Sequence, residues 1–121
     1  MQAPRTMPWL VAAFLLLPGF ASAAPMDEEI DYLLDAVAAS GCTFIRNGSE
    51  YPARDARAHL QSKRRRGRRY FSTTEEFIER IASQSSTSGK PYRIHCKGEP
   101  AVNAFDWFTA LLAEHRKQHI D

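Results

Sequence analysis

Cysteine is scarce in this sequence. Cys42 and Cys96 are the only two in 121 residues, and neither belongs to a CxxC pair. That spacing argues against a zinc site. There is no GxSxG elbow and no SxxK element, so the usual sequence marks of serine hydrolases are missing. Ser88-Gly89-Lys90 faintly resembles a phosphate-binding loop, but the required first glycine would fall where Gln84 stands. No internal repeat occurs. No apolar run reaches the roughly 20 residues of a typical membrane-spanning helix. A charged fraction of 25% excludes a wholly membrane-embedded chain, and 44% hydrophobic residues argue against wholesale disorder.

The first 23 residues stand apart from the rest. Arg5 forms a short positive start, Trp9 to Leu17 is uncharged and apolar, and Pro18-Gly19 breaks the run. Ala21-Ser22-Ala23 is an A-x-A cleavage signal. This three-part pattern predicts a secretory signal peptide over 1–23, cleaved after Ala23, and a periplasmic or secreted protein. Residues 24–121 then form a single small domain of 98 residues, with no second long apolar run. Such a chain buries roughly two thirds of its unfolded surface, enough for one modest core. Export also favours a Cys42–Cys96 disulfide over two free thiols, because the compartment is oxidising.

Along this domain, Ile30, Leu33, Leu34, Val37 and Ala38 make one apolar helical stripe between Asp27 and Ser40. Asp27, Glu28, Glu29 and Asp31 crowd its first turn, where the helix dipole favours anions. Cys42 to Arg46 suits a strand, and Asn47-Gly48 is the preferred type I′ hairpin pair before a return strand at Ser49–Tyr51. Pro52 opens a second helix that ends near Gly67. Ser72-x-x-Glu75 and Thr73-x-x-Glu76 both fit a capping box for a third helix, with Phe77, Ile78, Ile81 and Ala82 inward. Ser83 to Gly89 is a polar loop, and Pro91 to Cys96 is a strand. Asn103 begins a last helix carrying Phe105, Trp107, Phe108, Leu111, Leu112 and His115 on or beside its apolar face. The expected fold is α+β, with about four helices packed on a small antiparallel sheet of two to three short strands.

The phrases Cys42-Thr-Phe-Ile-Arg-Asn-Gly-Ser-Glu-Tyr51, His59-Leu60, Thr74-Glu-Glu-Phe-Ile78 and Ser83-Gln-Ser-Ser-Thr-Ser-Gly-Lys-Pro-Tyr92 carry a resemblance. Together they resemble the YfeK-like family of uncharacterised bacterial envelope proteins over nearly the whole of residues 24–121. The resemblance implies a small bacterial protein with a signal peptide, and it implies no activity. Lys63–Arg69 is more basic than the family pattern leads one to expect.

Three groups of residues suggest chemistry. A ligand-facing surface is expected from the hairpin residues Asn47, Glu50 and Tyr51, from His59, and from Ser86, Ser88 and Lys90 of the polar loop. Hydroxyls, loop N–H groups and one ammonium are the donors an anion or peptide carboxylate needs. The plainer alternative is a loop whose hydroxyls satisfy its own backbone, beside a tight turn in which Arg46 pairs with Glu50. A small hydrolase would instead use Ser86 or Ser88 with His59 as base and Glu50 as orienter. His115 and His119 have a spacing that can hold a metal, but they read better as a core residue and a solvated tail. No metal or other cofactor is expected.

The third group is a basic run. From Pro52 to Tyr70 there are eight basic residues against Asp55 alone, a net charge of +7, while the remainder of residues 24–121 sums to −6. Arg64, Arg65, Arg66 and Arg68 form a candidate patch for anionic lipid or lipopolysaccharide phosphates. Nucleic acid fits least, since no stacking-aromatic motif accompanies the run. The acidic first helix is the competing partner for these charges. The reading that emerges is an exported binding or interaction module for an envelope protein or an anionic envelope component, with the small hydrolase as its alternative.

Overall fold

The computed structural model describes residues 25–119, so the expected signal peptide and its cleavage point lie outside the described residues. Helix α1 spans Pro25–Ser40, strand β1 Thr43–Arg46, strand β2 Ser49–Pro52 and helix α2 Ala53–Arg66. A 3₁₀ turn at Arg68–Tyr70 leads to helix α3, Thr74–Phe77, which widens into a π-helical segment, Ile78–Ala82. Strands β3 (Arg93–His95) and β4 (Val102–Asn103) precede helix α4, Ala104–Gln118.

The sheet is antiparallel with order β2-β1-β3-β4. It has four strands, which corrects the expected two to three. The missed strand is β4. Only Val102 and Asn103 belong to it, pairing with Ile94 and Arg93. Two residues carry no alternation for a sequence pattern to detect. The β1–β2 hairpin turns on Asn47 and Gly48, both at positive φ (49° and 81°), as a type I′ turn requires.

Helix α1 is the centre of the fold, packing against α2, α3 and α4. Its Ile30, Leu33, Leu34 and Val37 are fully buried and meet Phe44, Ile94, Phe77 and Phe108 in one core. Ala38, expected on the same stripe, is exposed. Phe105 is also exposed, because the apolar face of α4 is carried by Ala104, Phe108 and Leu112. Pro52 ends β2, and α2 begins one residue later. Of the two capping frames, Thr73 is used: its hydroxyl accepts the Glu76 N–H at 3.0 Å, and the Glu76 carboxylate accepts the Ser72 N–H at 2.7 Å. Arg116 binds Glu29 and Glu75 at 2.7–2.9 Å, tying α4 to α1 and α3.

The register Thr43↔His95 sets Cys42 beside Cys96 at the end of β1 and β3, and the two form the disulfide. Helix α2 stops at Gly67, whose N–H reaches the Lys63 carbonyl at 2.8 Å. A side chain there would begin 2.7 Å from Ile81 Cδ1 and 3.1 Å from the Lys63 carbonyl oxygen, so Gly67 gives room for the Ile81 side chain as α2 meets the π segment. This approach leaves a cleft beside it.

A cationic cleft as the candidate site

Helix α2 repeats small or apolar residues inward at Ala56 and Leu60, and Lys63 occupies the next position of that stripe. Lys63 is therefore drawn inside and is only 4% exposed. Its Nζ donates to the Gln84 carbonyl at 2.7 Å and to Tyr92 Oη at 3.0 Å, and lies 4.8 Å from the centroid of the Tyr92 ring. An ammonium has three N–H donors and two are used. Tyr92 Oη also lies 3.3 Å from His59 Nε2. Lys63 can only donate, so Tyr92 Oη accepts from it and shares a further hydrogen bond with His59 Nε2.

Lys63 lies between two adjoining hollows. The larger, about 450 Å³, runs between Arg66, Gly67, Tyr70, Arg80 and the loop residues Ser85 and Ser86. The smaller, about 100 Å³, is bounded by Arg46, His59, Arg66, Thr87 and Tyr92. Among the described residues no carboxylate lines either hollow. Among the described residues Arg46 and Arg66 make no ion pair; Arg46 lies over the Tyr51 ring at 4.6 Å and Arg66 donates to Ser62. Arg80 is offset by Glu76 at 3.5 Å.

The electrostatics follow from this geometry. Burial, with Arg46 and Arg66 nearby, lowers the Lys63 ammonium to about 8. Burial and then Arg46, Lys63 and Arg66 lower His59 to about 4, so it is neutral at neutral pH. Burial raises the Tyr92 phenol, which stays protonated. The site thus holds a desolvated ammonium surrounded by guanidiniums and neutral donors. A buried charge without a counter-charge is costly, and an anion would relieve that cost.

The residues singled out from sequence are distributed as follows. Asn47 Nδ2 donates to the Ser85 hydroxyl at 3.3 Å, and Ser88 Oγ donates to Asn47 Oδ1 at 2.7 Å, joining the hairpin to the polar loop. The Ser85 hydroxyl accepts the N–H groups of Thr87 and Ser88, and Ser88 Oγ accepts that of Lys90. The loop hydroxyls therefore serve as acceptors for the loop's own backbone N–H groups, and Gln84 pairs with Pro91 to close it. His59 and Ser86 line the cleft; Glu50 and Lys90 are exposed and line neither hollow. Tyr51 is half-buried beneath Arg46. No serine among the described residues hydrogen-bonds His59, whose Nε2 faces Tyr92.

Within the basic run, Arg66 lines the cleft and Arg65 is exposed. Arg64 turns the opposite way, buried against α1, 2.7 Å from Asp31 and 3.3 Å from Asp27. Arg68 lies 3.8 Å from Asp27. Lys63 and Tyr92 are the residues that sequence reasoning missed; Arg46, read as a partner of Glu50, lies over Tyr51 instead. The signal for Lys63 was present: it stands seven residues after Ala56 and three after Leu60, on an apolar stripe. At α4, His115 stacks on Tyr32, with ring centroids 4.1 Å apart. Among the described residues no group of three or more His, Cys, Asp or Glu side chains is gathered to hold a metal ion, and no helix is long and apolar enough to cross a membrane.

Fold and cleft define a small disulfide-linked α+β protein with a cationic cleft beside a hairpin-anchored loop. The chain belongs to the Family of unknown function (DUF5329), which matches residues 24–116. It is 39% identical over 85 residues to the uncharacterized protein YfeK of Salmonella typhimurium, covering 69% of this chain and 71% of that protein. The resemblance read from the hairpin and loop phrases therefore holds. No solved structure matches the chain.

Proposed function

We propose that this is an exported binding protein whose ligand presents a carboxylate or phosphate to Lys63. The observation that carries the proposal is the buried Lys63 ammonium, opening on a cleft with Arg46 and Arg66 and with no carboxylate among its described lining residues. An anionic group completes the unused donor of Lys63 and offsets the mutual repulsion of the three cations. The guanidiniums add directional hydrogen bonds to such a group.

Inorganic phosphate is a direct probe. Anything that binds only the folded state stabilises it by mass action, by about 2.7 kcal/mol at a hundred times its Kd. In low-salt buffer the melting temperature is expected to climb by about 10 °C or more as phosphate is raised to that level. Lys63→Met should fold and lose this response, whereas Lys117→Met, at the exposed end of α4, should keep it. An unresponsive wild type, or an undiminished response in Lys63→Met, overturns the proposal.

Export is supported by the A-x-A signal, by the oxidised Cys42–Cys96 pair, and by a family match that begins at residue 24, directly after Ala23. The intact mass of protein recovered from its bacterial host is expected to correspond to a chain starting at Ala24. A mass that retains Met1 rules this out.

A further inference from the structure

We infer that the ligand is an acidic glycan, with an anionic sugar seated at Lys63 and a neighbouring sugar ring laid against Tyr70. This rests on the anion-binding reading and names the ligand class of the same cleft.

Tyr70 carries the inference. It is 57% exposed, yet its backbone is held on both sides: its N–H donates to the Gly67 carbonyl at 2.8 Å, and its carbonyl accepts from Arg80 at 2.9 Å. The Arg69 guanidinium lies over one face of the ring, 5.6 Å from its centroid. Its side chain stands at the junction of two hollows. One is the Lys63 cleft. The other, about 320 Å³, continues past Phe71 and Ser72 to Glu76. A pyranose ring has apolar C–H faces suited to an aromatic plane and a rim of hydroxyls suited to polar groups such as Ser72 and Glu76.

The distribution of charge along this trough selects among ligands. Uncompensated cations gather at the Lys63 end. Beyond Tyr70 the second hollow holds Arg69 and Arg80 with the carboxylate of Glu76, which pairs with Arg80, and the neighbouring Arg64 and Arg68 face the acids of α1. A nucleic-acid strand carries charge at every unit and would bring a phosphate against Glu76. A glycan needs its charge only at Lys63, and its hydroxyls can donate to that carboxylate. The gradient fits an anionic head followed by a weakly charged, ring-built body.

The experiment compares calorimetric titrations with glucuronic acid, a trimer made of one glucuronate followed by two neutral sugars, neutral maltotriose, a thymidylate trinucleotide and inorganic phosphate. The singly charged trimer should bind about tenfold more tightly than the monomer, the gain expected of one good stacking contact. Tyr70→Ala should abolish that gain while leaving monomer and phosphate binding unchanged; Tyr70→Phe should keep it. Maltotriose should bind far more weakly than the trimer. Equal affinity for monomer and trimer, a gain that survives Tyr70→Ala, or tighter binding of the trinucleotide overturns the glycan while leaving the anion site standing. Loss of phosphate binding itself removes the anion reading beneath it.

Discussion

Replacing Cys42 and Cys96 together by alanine is expected to cost about 4 kcal/mol of folding stability and to lower the melting temperature by roughly 15 to 30 °C. The bond spans 54 positions and encloses β2, α2, α3 and the whole of the polar loop. In the chain-entropy account it removes a large closed loop from the unfolded ensemble. A core of under a hundred residues gives little margin, so the loss is a large share of the total. The two residues are also adjacent in the fold without strain on the topology, since β1 and β3 are already paired at Thr43 and His95. Thermal unfolding of the double variant and of reduced wild type checks this. A fall of only a few degrees in both would show that sheet and core hold the termini of this loop unaided.

The second large effect concerns Lys63 and pH. Its folded-state value, about 8, lies below the ordinary lysine value of 10.5. Between these the unfolded chain keeps the proton that the folded chain has released, so stability rises with pH across that window and the full penalty is present below it. Denaturant unfolding should therefore show about 2 kcal/mol more stability at pH 10 than at pH 7 from this group alone. In Lys63→Met the rise should vanish, with the variant gaining on wild type at pH 7 and losing that advantage at pH 10. The titratable groups facing Lys63 set the limits: the raised Tyr92 stays protonated through the window, and His59 is already neutral. His59 acts at the acid end. Its depressed value means that the unfolded chain takes up a proton first, so its contribution falls away as pH drops from 6.5 toward 4. Parallel pH curves for wild type and Lys63→Met would show that the ammonium is not desolvated.

What local chemistry encodes, the sequence alone determined. The α1 stripe, the Asn47-Gly48 turn and the Thr73–Glu76 capping box each depend on residues within one or two turns of chain. The cysteine count and the export signal, read over the whole chain, made a disulfide the natural expectation. Strand β4 lay beyond this reach, because two residues become a strand only when β3 offers them a partner. The site lay beyond it for a related reason. Lys63 and Arg64 are neighbours in one basic run, but successive helical residues point about 100° apart. Packing α2 between α1 and the π segment sends Arg64 to Asp31 and Lys63 to the cleft. One charge is neutralised and the next is left for a ligand. Composition counts both as +1; only the tertiary structure decides which acid, or which absence of one, each of them meets. Tyr92, 29 positions away from Lys63 along the chain, joins the site for the same reason. It is the antiparallel sheet that brings β3 past the inward face of α2, and no local pattern records that crossing.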